Sequence, residues 1–225
     1  MTRMLGLLIA CFTLASCAST PYPAPKAWPE FEWSQSEPLV VLADVRPGDW
    51  LPEFPECTEP GTFCLHSPMW LKIRVRETLY GQAPAQQMPV YSTTHYDIEQ
   101  FDEDHAPRLM WMMVGPGDAV VMPAYKEAAV VRTPDGDWML PIYFPAPEEW
   151  LPCSVSPLRE PVDAAWLPRS MQANDSVVKN HPELFQYRNG HPYPRYGIRL
   201  SRLREELARL QPTTIEQMTC EADND

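Results

Sequence analysis

Hydrophobic and polar positions alternate most cleanly in MWLKIRVRETLYG, residues 69 to 81, where Leu71, Ile73 and Val75 interleave with Lys72, Arg74 and Arg76. A period of two puts the apolar set on one face and the cations on the other, so the stretch predicts a strand with one buried side and one side in water. Other strands are predicted at PLVVLADV (38 to 45), MPVYSTT (88 to 94), LMWMMV (109 to 114), GDAVVMPAY (117 to 125) and AAVVRT (128 to 133). Asp135-Gly136 marks a tight hairpin into DWMLPIYF, because Gly readily supplies the positive φ that such a turn needs. About seven strands at short spacing, with no helix between them, predict a mainly β barrel or sandwich.

The pattern changes after residue 144. Proline-rich, irregular sequence runs to RLSRLREELARLQP, where the spacing predicts a helix over 201 to 211. Leu200, Leu203, Leu207 and Leu210 form one stripe for packing on the barrel, Glu205 and Arg209 sit four apart on the exposed side, Ser201 is the expected N-cap and Pro212 follows the end.

The apolar run at the start reads differently. MLGLLIACFTLAS follows Met-Thr-Arg, and no acidic residue occurs before Glu30. A short basic region and an apolar stretch of about a dozen residues are too short for a mature membrane span and read as a signal peptide over residues 1 to 16. Leu14-Ala15-Ser16-Cys17 resembles the lipobox of bacterial lipoproteins, in which the Cys becomes the acylated N-terminus. The resemblance implies lipidation of Cys17, by palmitate or a similar acyl chain, and a membrane anchor with no spanning helix. Ala18 is not the Asp that retains such proteins in the inner membrane, so the implied address is the outer membrane, facing the periplasm. Residues 17 to 37, with Pro21, Pro23, Pro25 and Pro29, then read as a stiff tether, and Trp28, Phe31 and Trp33 as aromatics that dock on the domain. The predicted organisation is completed by a barrel over 38 to 144 and an extension over 145 to 225.

Composition narrows the function classes. A net charge of -12 opposes phosphate backbones and anionic head groups and argues against nucleic acid as a partner. The 27 prolines favour short strands and stiff loops over long helices, while eight Trp, nine Tyr and seven Phe argue for a packed core. With Cys11 in the signal and Cys17 acylated, Cys57, Cys64, Cys153 and Cys220 form an even set suited to two disulfides in an exported chain. Three pairings are possible; the favoured one joins Cys57 to Cys64 and Cys153 to Cys220.

The order of PLVVLADV, KIRVRETLYG, PVYST and GDAVVMPAY resembles the netrin-like domains of metalloproteinase inhibitors and their bacterial counterparts. That resemblance covers residues 38 to about 144 and implies an OB-like barrel of five strands. It does not carry over the inhibitors' zinc-chelating N-terminal Cys, since Cys17 is acylated in this reading and lies about twenty residues before the first strand.

Two constellations could carry chemistry. HYDIEQFDEDH holds His95, Asp97, Glu99, Asp102, Glu103, Asp104 and His105, ligand types that suit a divalent metal although their spacing matches no known metal motif. Tyr187, Arg188, His191, Tyr193, Arg195 and Tyr196, with Trp166 upstream, form an aromatic and basic group fit for a glycan or a protein surface. No GxSxG or Gly-rich phosphate loop is present, and no cofactor is implied. The sequence therefore reads as a non-catalytic binding or assembly module for an envelope protein. Its alternatives are a metal-dependent envelope hydrolase using the 95 to 105 loop and a peptidoglycan or polysaccharide binder.

Overall fold

The computed structural model describes residues 23–52, 67–94, 106–123, 126–142, 159–162, 167 and 175–214. Five strands close into a barrel: β1 (Glu37–Trp50), β2 (Ser67–Tyr80), β3 (Gln87–Thr94), β4 (Arg108–Val114) and β5 (Val120–Met122). β1 lies between β2 and β4, β2 pairs with β3, and β5 joins β3 to β4, so the ring has no free edge. Every pairing in the ring is antiparallel except β3 with β5. The protein is thus mainly β, and of the barrel or sandwich expected from its strand pattern it forms a closed barrel, with the OB-like strand order that the resemblance implied.

Two cores explain why the strands differ in sequence. Inside the barrel lie Leu39, Val41 and Ala43 of β1, Leu71 and Ile73 of β2, Val90 of β3, and a set of methionines that includes Met69, Met88, Met110 and Met112. Outside it, Val40 and Leu42 of β1 and Leu109 and Trp111 of β4 belong to a second core. Strands β1 and β4 are therefore apolar at successive positions because they are covered on both faces, whereas β2 alternates because its outer face meets water.

The outer cover is a four-stranded sheet and a helix. Short strand β6 (Glu127–Ala129) borders β4; β7 (Val131–Arg132), β8 (Trp138–Pro141), β9 (Glu160–Pro161) and β12 (Tyr196–Arg199) form the second sheet in the order β7-β8-β12-β9. The single strand expected at 128 to 133 is thus divided at Val130, which is buried and donates its N–H to the Pro107 carbonyl. The Asp135-Gly136 hairpin is present between β7 and β8, with Gly136 at φ 92°. Helix α1 (Asp175–Asn180) and the hairpin of β10 (Phe185–Arg188) and β11 (His191–Pro194) occupy sequence that had been expected to be irregular. Asn189 and Gly190 turn that hairpin with φ of 51° and 81°.

Helix α2 (Leu200–Leu210) packs Leu200, Leu203 and Leu207 into the outer core beside Val40, Leu79 and Trp111. Its details depart from expectation. Arg199 is the N-cap residue, and Ser201 instead donates its hydroxyl to Asp137 Oδ2 at 2.7 Å. Leu210 is 38 % exposed, and Gln211 adopts the left-handed conformation and ends the helix by donating its N–H to the Leu207 carbonyl. The exposed ion pairs within the helix are Arg202 with Glu205 and Glu206 with Arg209, three apart rather than four.

The chain ahead of β1 also packs. Phe31 lies against the outer core and stacks edge-on with Trp33 at 4.7 Å, and Trp28 meets Tyr91 of β3 at 6.0 Å. Gly115 leaves the space that the Phe31 ring fills, since a Cβ there would come within 2.7 Å of it.

Candidate functional site

The outer core covers only part of the barrel. On β1, Val40 and Leu42 lie under the helix and second sheet, but Asp44 and Arg46, which continue that face, are half-buried and exposed. On β2 the same outward side carries Lys72, Arg74 and Arg76, all exposed. Cross-strand pairing puts Asp44 opposite Arg74 and Arg46 opposite Lys72, and β3 sets Gln87 opposite Arg74. The three cations of β2 span roughly 13 Å along the strand, at about 3.3 Å per residue.

One carboxylate holds two of the four cations here. Arg74 donates from Nε and Nη2 to Asp44 Oδ2 at 3.0 and 2.6 Å, and Arg76 donates from Nε to Asp44 Oδ1 at 2.7 Å. Partial burial would raise the Asp44 pKa, but the hydrogen bonds and charges of Arg76 and Arg74 outweigh it and hold the carboxyl below its ordinary value. Asp44 is therefore ionised at neutral pH and both its oxygens are engaged, an arrangement unsuited to proton transfer and suited to fixing two guanidinium groups in place. Arg46 and Lys72 have no ion pair among the described residues. Arg76 and Arg132 each lie 5.6 Å from the Trp138 ring, so a second sheet residue holds the far end of the cationic face. Between these side chains is an open cleft of about 430 Å³, lined by Asp44, Arg46, Lys72, Arg74 and Gln87.

Toward the other end the face turns aromatic. Trp70, opposite Tyr91 on β3, precedes Lys72 on the same outward side, and Trp28 packs on Tyr91. Trp50, at the end of β1, is 47 % exposed.

The structure separates the aromatic and basic group expected around residue 190. In the β10–β11 hairpin, Tyr193 pairs with Gln186 and is buried against Val131, Met139, Val162 and Leu167. Tyr187, one position out of phase, points to the opposite side and is 68 % exposed. Arg188 donates from Nη2 to the Val162 carbonyl at 3.1 Å, Tyr196 packs beside Phe185, and Arg195 is exposed. Tyr193 and Tyr196 therefore help to hold the hairpin down, leaving Tyr187 as the exposed ring. His95, Asp97, Glu99, Asp102, Glu103, Asp104 and His105 lie outside the described residues, as do Cys17, Cys57, Cys64, Cys153, Cys220 and Trp166.

The cationic face was missed in the sequence because its members are not contiguous. Lys72, Arg74 and Arg76 were read as a solvated strand face, and Arg46 joins them only through the β1–β2 register. Their signal was the alternating basic residues of one strand, offset by a single carboxylate on its neighbour.

Fold and face together define a small closed barrel of OB-like order, half covered by a helix and a second sheet, with cations gathered on the uncovered half. Compared with protein-family models, curated proteins and solved structures, the chain matches none.

Proposed function

We propose that this chain is a lipid-anchored, non-catalytic binding module of the bacterial envelope, which takes an anionic partner on the outer face of β1 and β2. The observation that carries the reading is the concentration of Arg46, Lys72, Arg74 and Arg76 around one carboxylate in a chain of net charge -12. A strongly acidic protein gains solubility from scattered charge, so cations fixed in register on one rigid face point to recognition. The anchor belongs to the same reading through the LASC motif at Cys17, and the netrin-like relationship is supported by the OB-like strand order.

Retention on an immobilised polyanion such as heparin tests the face. Wild type is expected to bind at low salt and elute as salt rises, and Arg46→Glu with Lys72→Glu is expected to flow through. Wild type in the flow-through would overturn the reading of the face. Incorporation of a palmitate analogue tests the anchor; labelling that persists in Cys17→Ala would sink it.

A further inference from the structure

The cationic face and the route of the N-terminal chain meet at one end of the barrel. Arg46 pairs with Lys72, Trp50 with Met69, and Trp70 with Tyr91, so these residues share the end at which β1 finishes and β2 begins. Trp28 packs on Tyr91, which brings the incoming chain to the border of that face. Trp28 follows Cys17 by eleven positions, a distance of at most about 40 Å when fully extended.

From this juxtaposition we infer that the occupant of the face is the anionic surface of the membrane that holds the anchor, so that the barrel lies against the bilayer with β1 and β2 toward the lipid phosphates. The inference rests on the binding reading above and names its partner. Each cation near an anionic leaflet raises partitioning about fivefold, and exposed Trp side chains favour the interfacial layer, the position that Trp50 would occupy. The overall charge of -12 opposes anionic head groups at long range but does not prevent this contact, because at physiological salt the repulsion of acidic groups on the far side is screened beyond about 8 Å. Arg74 and Arg76, held by Asp44, would present a fixed pair of guanidinium groups, while Arg46 and Lys72, which have no ion pair among the described residues, would adjust to lipid phosphates.

Lysine footprinting of the full acylated protein, mixed with vesicles of phosphatidylcholine alone or with an equal share of phosphatidylglycerol, tests the inference. Flotation reports binding, and a water-soluble acylating reagent reports exposure of Lys72 against Lys179 on α1. The expected result is flotation with both vesicles, several-fold protection of Lys72 on anionic vesicles alone, and unchanged labelling of Lys179. Arg46→Glu, which removes no ion pair among the described residues, should reduce that protection. Flotation with both vesicles but equal labelling of Lys72 overturns the inference and leaves the anchor intact. Flotation with anionic vesicles alone supports the contact of the face with anionic lipid but overturns the anchor and so the shared membrane, and flotation with neither overturns both. Protection of Lys72 by heparin in detergent solution, without protection on anionic vesicles, makes the occupant a soluble polyanion; the binding reading then stands and the inference falls.

Discussion

Gly48 of β1 lies against the indole of Trp70 on β2, so close that a Cβ at that position would come within 2.5 Å of Trp70 Cε2 and of the Trp70 carbonyl oxygen. The contact buries Trp70 although it belongs to the outer, water-facing side of its strand. Gly48→Ala should force the ring or the strand to move, at a cost of about 1 to 3 kcal/mol, the range for overpacking. Urea unfolding of the two proteins measures it, and an unchanged midpoint would show that the ring yields freely.

The leucine stripe of α2 makes a second prediction, because one of its four members behaves differently. Leu203 is fully buried in the outer core, while Leu210 is 38 % exposed. Leu203→Ala should cost about 2 to 5 kcal/mol and Leu210→Ala less than about 0.5 kcal/mol. Equal costs in thermal or urea unfolding would contradict the placement of the helix.

In the β10–β11 hairpin, two tyrosines six residues apart in sequence have opposite duties. Tyr193 fills a small core between the hairpin and the second sheet, whereas Tyr187 is exposed. Tyr193→Ala should therefore lower stability by about 3 kcal/mol, in the range for truncating a buried aromatic, and Tyr187→Ala should leave it within about 0.5 kcal/mol. Any loss of glycan or protein binding in Tyr193→Ala must accordingly be read beside its stability. A binding loss confined to Tyr187→Ala would instead identify a contact surface at the hairpin.

How much of this was legible in the sequence depends on whether one strand or two supplied the signal. Alternation along Leu71 to Arg76 correctly located β2 and its wet face, and the unbroken apolar runs located β1 and β4. The second sheet was hidden because β9 and β12 come from distant parts of the chain and are only two and four residues long. Pro192 and Pro194 obscured β11, although Asn189-Gly190 carried a hairpin signal as strong as Asp135-Gly136. The exposure of Leu210 was likewise hidden, since periodicity places a residue on a stripe without showing where the partner surface ends. The cationic face required the register of β1 on β2, which no single window of sequence contains.

Asp44 gives that face a pH dependence whose direction follows from its partners. Its carboxyl would be raised by partial burial, but hydrogen bonds and charge from Arg76 and Arg74 prevail and lower it below the ordinary 3.8. A depressed folded-state pKa stabilises the protein fully above the unfolded value, and the contribution is lost as pH falls through the lower folded one. The stability difference between wild type and Asp44→Asn should therefore be constant from pH 7 to about pH 5 and shrink as the solution is acidified below the ordinary carboxyl range. Protonation of Asp44 would also remove the only carboxylate hydrogen-bonded to Arg74 and Arg76 among the described residues, leaving both guanidinium groups free for an external anion. Heparin retention at constant ionic strength should then strengthen over the same acid range in wild type and change less in Asp44→Asn, provided near-ultraviolet circular dichroism shows both folded. A wild-type stability difference that does not vary with pH would mean that Asp44 is not held by its two arginines in solution.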